Sequence, residues 1–239
     1  MEGFSYNNIF DTKGIEYIII IAFLVLLIPF WVLLNKKSAI VKQVKKVWDV
    51  LTIDILKIPQ GLFYGRNHTW AYLTPSGSAK VGLDDFLLHV VGDFRIIQLK
   101  SPGETIKKGD LLAEINQDGK NLKIVSPLSG KIEKANLQLV ESTEVLQNDP
   151  YNEGWIYHIR PSNWVGETKS YYLADNARAW IKEEINRFKD FLAVTLNKHS
   201  PDPTLVAFQE GGELRSHLLS ELDMEIWEDF QKEFLDEMQ

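Results

Sequence analysis

The alternation of apolar and polar residues is clearest in the middle of the chain. Apolar side chains occupy every second position through residues 111–116 and again through 122–125. A period of two is typical of a half-buried β-strand. The two runs flank Asp118-Gly119, and an Asp-Gly pair favours a type I′ turn because both central residues of that turn need positive φ. The pattern predicts a β-hairpin in which Glu114 lies opposite Lys123, with opposite charges across the ladder.

An uninterrupted apolar run lies near the N-terminus. The eighteen residues from Tyr17 to Leu34 include no charged side chain. As a helix they would extend about 27 Å, which is enough for the hydrocarbon core of a bilayer. A cleaved signal peptide fits less well, because the preceding residues are not basic and no small-residue cleavage site follows. The run predicts a transmembrane helix within an N-terminal segment, residues 1–36.

The charges beside this run predict its orientation. Five lysines lie between residues 36 and 46, whereas the residues before Tyr17 carry both signs. The positive-inside rule therefore places the N-terminus outside and the rest of the chain in the cytoplasm, on the inner (cytoplasmic) membrane. Apolar residues at helical spacing from Ile40 to Ile55 predict a basic juxtamembrane helix in the segment 37–62. This helix would contact anionic lipid or a protein partner.

Two helical patterns follow residue 166. In residues 171–197 the apolar side chains recur on one helix face, which predicts an amphipathic helix. The sequence HSPDPT, residues 199–204, ends this pattern. From Glu213 onward nine acidic residues outnumber two basic ones, so an acidic amphipathic helix is expected within the extension 166–239. Its apolar residues are four positions apart: Leu214, Leu218, Leu222, Ile226, Phe230 and Phe234.

Composition excludes several classes of site. The 239 residues include no cysteine, which rules out disulfides, thiolate metal sites and a cysteine nucleophile. The net charge of −7 does not indicate nucleic-acid binding. Neither His68 nor His89 has a second ligand at metal-binding spacing or a nucleophilic serine nearby, so both are interpreted as structural. The sequence predicts a protein that is not an enzyme and binds no metal.

Five motifs between residues 63 and 165 carry a family resemblance. They are RNHTW (66–70), VGLDDFLLHVVGDFRIIQL (81–99), PGETIKKGDLL (102–112), SPLSG (126–130) and NDPYNEGWIYHIRPSNW (148–164). In order and spacing they resemble the H protein of the glycine cleavage system, a member of the biotinyl/lipoyl-domain superfamily. The resemblance implies a mainly β fold, the lipoyl/H-protein-type β-sandwich (barrel-sandwich hybrid). With the predicted transmembrane helix and the C-terminal helical extension, the chain is identified as a membrane-anchored, divergent member.

The hairpin turn departs from the family pattern. The resemblance implies lipoate on a lysine at the hairpin tip, but the family spacing counted back from Ser126 arrives at Gly119. Lys120 is the only plausible substitute, one position further on. A degenerate turn with a solvated lysine is the interpretation we favour. We therefore expect no cofactor, and lipoate on Lys120 is the alternative.

Two functional hypotheses follow. In the first, the protein is a non-catalytic, membrane-anchored scaffold or accessory subunit of a membrane complex, such as a redox or respiratory one. Its partners would be the lipid bilayer and other subunits. Because the H-like fold is complete by about residue 163, the apolar face of the tail is expected to bind another subunit through Leu218, Leu222, Ile226, Phe230 and Phe234. In the second, the protein is a lipoylated carrier that shuttles a lipoyl-bound group between cytoplasmic enzymes via Lys120.

Overall fold

The computed structural model describes residues 17, 19–30, 50–199, 208–209 and 213–236. The chain divides into two units, residues 1–49 and 50–239. In the first unit residues 19–30 are helical, and their large apolar side chains are exposed. Among the residues that the structure describes, none of the helices combines the length and apolar composition that crossing a bilayer requires. The predicted transmembrane helix, residues 17–34, extends into positions outside the described residues and stays a prediction.

The juxtamembrane helix is not found where the structure describes that segment. Residues 31–49 lie outside the described part of the chain, and residues 51–62 form turns and irregular structure rather than a helix. Tertiary contacts explain the difference. Leu51 and Leu56 are buried in the core, and the Leu51 N–H donates to the carbonyl of Leu214 at 2.8 Å. A helical backbone at Leu51 could not make this contact with the C-terminal segment.

The second unit is built mainly from antiparallel strands, which confirms the predicted mainly β fold. A six-stranded sheet has the order β1-β2-β3-β9-β8-β5, a three-stranded sheet the order β4-β6-β7, and β10 pairs with β11. The strands are β1 (Phe63–Tyr64), β2 (Thr69–Leu73), β3 (Ala79–Leu83), β4 (Arg95–Gln98), β5 (Thr105–Ile106), β6 (Leu111–Gln117), β7 (Lys120–Val125), β8 (Gly130–Ala135), β9 (Trp155–Pro161), β10 (Phe208–Gln209) and β11 (Glu213–Leu214).

Helices flank the sheets and follow them. They are α1 (Asp85–Val91), α2 (Gln138–Glu141), α3 (Glu144–Asn148), α4 (Trp164–Thr168), α5 (Ala174–His199), a 3-10 helix (Leu218–Glu221), α6 (Met224–Phe230) and a π-helical turn (Gln231–Leu235). Local signals define α1: the Asp84 carboxylate accepts from the Leu87 N–H at 2.9 Å, and Gly92 follows the last turn with φ of 81°. The amphipathic pattern of residues 171–197 forms α5.

The C-terminal apolar pattern does not form one long helix. The segment from Leu214 to Leu235, here called the C-terminal cap, contains a 3-10 helix, α6 and a π-helical turn in succession. A step of four residues advances about 40° around a straight α-helix, so a long helix would carry the apolar stripe off its own face. The breaks bring the apolar side chains back to one side of the segment.

That side faces the core of this protein, which corrects the prediction of a partner-binding face. Nine apolar side chains of the C-terminal cap are buried, including all five residues assigned to a partner: Leu218, Leu222, Ile226, Phe230 and Phe234. Phe230 and Phe234 pack on Phe188 of α5, with ring centroids 5.8 and 6.0 Å away. Burial of one such side chain contributes about 1.5–3 kcal/mol. All nine belong to the same hydrophobic core as the sandwich and α5, so the cap is part of the folded unit.

Candidate functional site

The hairpin tip between β6 and β7 is the position at which the sequence departs from its family pattern. The predicted register is confirmed, with Glu114 opposite Lys123 and Gln117 opposite Lys120. Asp118 and Gly119 have φ of 49° and 85°, as a turn with two positive φ angles requires. A β-carbon added at Gly119 would meet no atom within 4 Å. The tip therefore projects into open space at position 119 and carries no side chain there.

Lys120 lies at the start of β7, and its amine is already in use. Its Nζ donates to the carbonyl oxygens of Ser220 and Leu222, at 2.8 and 3.0 Å. The same atom lies 5.1 Å from the centroid of the Trp227 ring, within cation–π range. The side chain is half-buried under the C-terminal cap. The solvated lysine expected from the sequence is therefore corrected to a lysine held by three contacts.

Lipoate does not fit this arrangement. An ammonium has three N–H donors and a positive charge, whereas an acylated Nζ keeps one N–H and no charge. Attachment of lipoate to Lys120 would remove at least one of the two carbonyl hydrogen bonds and the attraction to Trp227. The acyl chain would also need space beside Nζ that the Ser220 and Leu222 carbonyl groups now occupy. The residues at the tip suit an ammonium ion rather than a lipoyl amide.

The C-terminal cap also contacts the open edge of the three-stranded sheet. Strand β7 is an edge strand, so among the described strands none pairs with the outer side of its backbone. The Gln231 side chain accepts from the Lys123 N–H at 2.7 Å and donates through Nε2 to the Lys123 carbonyl at 3.3 Å. One amide side chain thus makes both hydrogen bonds that a neighbouring strand would make at this residue. Lys120 and Gln231 together hold the cap along β7.

A second polar cluster is buried beneath helix α5. The Asp84 carboxylate lies 2.8 Å from His68 Nδ1, and the Glu184 carboxylate lies 3.6 Å from His68 Nε2. Arg187 donates to both oxygens of Glu184 at 3.0 and 2.9 Å. Arg187 also donates to the Glu233 carbonyl in the C-terminal cap. The Glu233 carboxylate lies 3.7 Å from Arg187 Nε, so charges of alternating sign connect the sandwich, α5 and the cap. We call Asp84, His68, Glu184, Arg187 and Glu233 the charge ladder.

The protonation of His68 follows from this environment. Burial disfavours the imidazolium ion, but the Asp84 and Glu184 carboxylates outweigh burial and raise the pKa of His68 to about 9. For Glu184, burial would raise the pKa, but His68 and Arg187 outweigh it and lower the pKa of that carboxyl. His68 is therefore a cation at neutral pH. The sequence identified His68 as structural, but it gave no signal for Glu184, which is 116 residues away along the chain.

The charge ladder does not form a reaction site. The rings of Phe86 and Trp180 lie 4.7 and 5.2 Å from the His68 ring, and His68 has no exposed surface. A cleft of about 470 Å³ reaches the outer side of Trp180 and Arg187, but the Glu184 oxygens at its base already accept hydrogen bonds from Trp180 and Arg187. Within residues 50–199 and the other described segments, no cluster of three or more His, Asp or Glu side chains has metal-binding geometry.

Comparisons with known proteins agree with the fold and the motifs. The family model described as "Glycine cleavage H-protein" matches residues 62–184, which are 123 of the 239 residues. The "Probable glycine cleavage system H protein" of Thermococcus gammatolerans is 35% identical over 120 residues, covering 50% of this chain and 89% of that protein. A protein of the same name from Pyrococcus furiosus is 34% identical over 133 residues, covering 56% and 98%.

Among solved structures, the crystal structure of a glycine cleavage system H protein from Mycobacterium marinum is 29% identical, with a TM-score of 0.41. The match covers 44% of this chain and 87% of that one. The sequence relatives are matched over most of their length, and the family model spans just over half of this chain. The chain belongs to the glycine cleavage H-protein family.

Proposed function

We propose that this protein is a non-catalytic H-protein-type module that acts by binding other proteins and carries no lipoyl arm. The observation that supports the proposal is the hairpin tip, where the position matching the family's lysine is Gly119, with positive φ and open space around it. The tip has the exposed position that an arm needs but lacks the amine to which lipoate would be attached. Without the arm, a member of this family would act through its surfaces, which would bind other proteins.

The comparisons by themselves favour a second function, that of a lipoyl carrier. The matched relatives are named glycine cleavage system H proteins, and the resemblance to that family implies lipoate on a lysine. On this chain Lys120 would be the attachment residue, one position beyond Gly119. The narrower hypothesis of a scaffold in a redox or respiratory membrane complex has no support from the comparisons. The observation that favours the arm-free module over the carrier is the hairpin tip, where Gly119 occupies the lysine position of the family.

Intact mass separates the two functions. The full chain is produced in cells with lipoate and a lipoate–protein ligase, beside a lipoylated H protein as the positive control. We expect the unmodified mass of this chain while the control gains one lipoyl group. Lys120→Arg and the matched variant Lys123→Arg are measured in parallel. A lipoyl mass that Lys120→Arg loses and Lys123→Arg keeps would establish the carrier and reject the arm-free module.

The proposal extends to the membrane and to partners there. The apolar run 17–34 and the five lysines of residues 36–46 would anchor the protein with its C-terminus in the cytoplasm. Within residues 19–30 each large apolar side chain is at least 42% exposed in the structure. So much exposed apolar surface supports the proposal that this segment lies in an environment other than water. A reporter enzyme that is active only outside the cytoplasm, fused after Gln239, should stay inactive. An active reporter, or a full-length protein recovered entirely without detergent, would contradict the anchor.

A further inference from the structure

The remaining candidate for an arm lysine, Lys120, has a different use in this chain. Its Nζ donates to two carbonyl oxygens of the C-terminal cap, those of Ser220 and Leu222, and lies over the Trp227 ring. These partners are 100 or more residues away along the chain. Carbonyl oxygens and an aromatic face are the surroundings that a cation prefers. An acylated Nζ, with one N–H, could not make all of these contacts.

The segment that supplies these contacts is firmly packed. Leu219 and Leu222 flank Ser220 and are buried, and the buried Trp227 ring donates through Nε1 to the Leu219 carbonyl at 2.7 Å. The carbonyls that receive Lys120 are therefore fixed by the core below them. Gln231 holds the same segment to the Lys123 backbone further along β7. The amine cannot be released by the movement of a loose tail, since the cap belongs to the folded core.

We propose that Lys120 is a structural clamp that fastens the C-terminal cap to the hairpin tip and is thereby closed to acylation. The inference rests on the proposed function and extends it, because it assigns a role to the one amine that could have replaced the missing arm lysine. The clamp needs an unacylated amine, since an amide nitrogen has too few donors for both carbonyls. The tip itself stays exposed at Gly119, whereas the neighbouring Lys120 amine makes an internal contact in this protein.

Lys123 provides a matched control on the same strand. It lies three residues from Lys120, and the residue opposite it on β6 is Glu114. The cap contacts the Lys123 backbone through Gln231, whereas the Lys123 side chain is exposed. A chemical acylating reagent tests both amines without any enzyme. The full chain in detergent is treated briefly with the reagent, and the modified lysines are mapped by peptide mass spectrometry. The same treatment in denaturant gives the intrinsic reactivity of each lysine.

We expect Lys120 in the native protein to react roughly tenfold more slowly than Lys123, because two hydrogen bonds to a charged group must break first. In denaturant the two rates should be similar. Lys120→Met should lower the midpoint of thermal unfolding on the order of 5 °C, whereas Lys123→Met should leave it nearly unchanged. Equal native reactivity, or equal melting of the two variants, would overturn the clamp.

Failure of the clamp and failure of the proposed function give different results. A lipoyl group mapped to a lysine other than Lys120 would remove the arm-free function and leave the clamp intact, provided that Lys120 stays unreactive. Equal reactivity of Lys120 and Lys123 without any lipoyl mass would remove the clamp alone. A lipoyl group on Lys120 itself would overturn both.

Discussion

At the scale of single residues, the charge ladder explains how a histidine and two carboxylates are buried together. Asp84 has two uses: it caps α1 through the Leu87 N–H and it contacts His68 Nδ1. Glu184 accepts from Trp180 Nε1 and from Arg187, so its charge is also satisfied. An unpaired buried charge would cost several kcal/mol, on the order of 3–5, when a partner is removed. Of the five residues, Asp84 and Glu184 are the two whose carboxylates face His68.

The first prediction concerns pH. Because the folded-state pKa of His68 is raised to about 9 from an ordinary value of 6.5, its stabilising effect is fully present below pH 6.5. The effect is lost as the pH rises through 9, and the total change is about 3 kcal/mol at 1.36 kcal/mol per pH unit. The free energy of unfolding, measured by denaturant titration between pH 6 and 10, should fall over this interval.

His158 provides the control for this pH dependence. It lies in β9, where burial is the main cause that lowers its pKa, so the pKa of His158 shifts away from the pH range in which His68 titrates. His158→Gln should keep the decrease in stability, and His68→Gln should abolish it. Because His68→Gln leaves Asp84 and Glu184 without their partner, an NMR titration of the His68 ring in the unaltered protein is a second measurement. A ring that titrates near pH 6.5 would contradict the assignment.

At the scale of elements, the edge of β7 shows how a side chain completes a sheet. The alternating side chains of residues 122–125 place Leu122 and Ile124 in the core. Because β7 is the outer strand of its sheet, the backbone groups on its outer side are left without a described partner strand. An unpaired edge is a template for association with another chain. Gln231 closes the edge at Lys123 with an acceptor and a donor in one side chain. The cap thus protects the strand that follows the hairpin tip.

The second prediction tests this edge contact. Gln231→Leu keeps the size of the side chain but removes both hydrogen bonds to Lys123. It should destabilise the protein by about 1–2 kcal/mol, since each neutral hydrogen bond is worth roughly 0.5–1.5 kcal/mol. Gln138→Leu is the matched control, because Gln138 is an exposed residue of α2. Urea unfolding midpoints that shift equally for the two variants would show that Gln231 has no special role.

At the scale of the whole molecule, the described residues of the second unit share one core across the sandwich, α5 and the C-terminal cap. The Phe230 and Phe234 rings of the cap stack 4.7 Å apart and contact both Phe188 and Phe191 of α5. Phe234 also approaches Phe86 of α1 and His68 of the sandwich. The aromatic cluster joins parts of the chain that the family pattern covers to parts beyond it. The cap should therefore unfold together with the sandwich.

The third prediction tests this cooperativity. Phe230→Ala removes a fully buried ring and should lower the free energy of unfolding by about 3–5 kcal/mol. Met224→Ala, in the same helix at a position 55% exposed, should change it by less than about 0.5 kcal/mol. The signal is far-UV circular dichroism of the β-sheets during denaturation. If Phe230→Ala leaves the unfolding of the sheets unchanged, the cap is a separate unit and the docking hypothesis regains support.

The sequence by itself determined the local features of this protein. The Asp118-Gly119 turn and the register of its hairpin follow from signals within a few residues of each other. The motifs of residues 63–165 determined the family, and the spacing to Ser126 placed a glycine where the family has its lysine. Backbone conformation at such sites depends on adjacent residues, so no distant contact was needed to predict them.

Only the tertiary structure decided what covers the C-terminal apolar residues and what Lys120 contacts. An amphipathic pattern predicts that one face is buried, but it cannot distinguish the protein's own core from a partner's surface. Leu218 and Phe230 are buried because the cap contacts α1 and α5. The carbonyl oxygens that accept from the Lys120 amine lie 100 and 102 residues further along the chain. Hydrogen bonds and packing act between neighbours in space, whatever their separation in sequence.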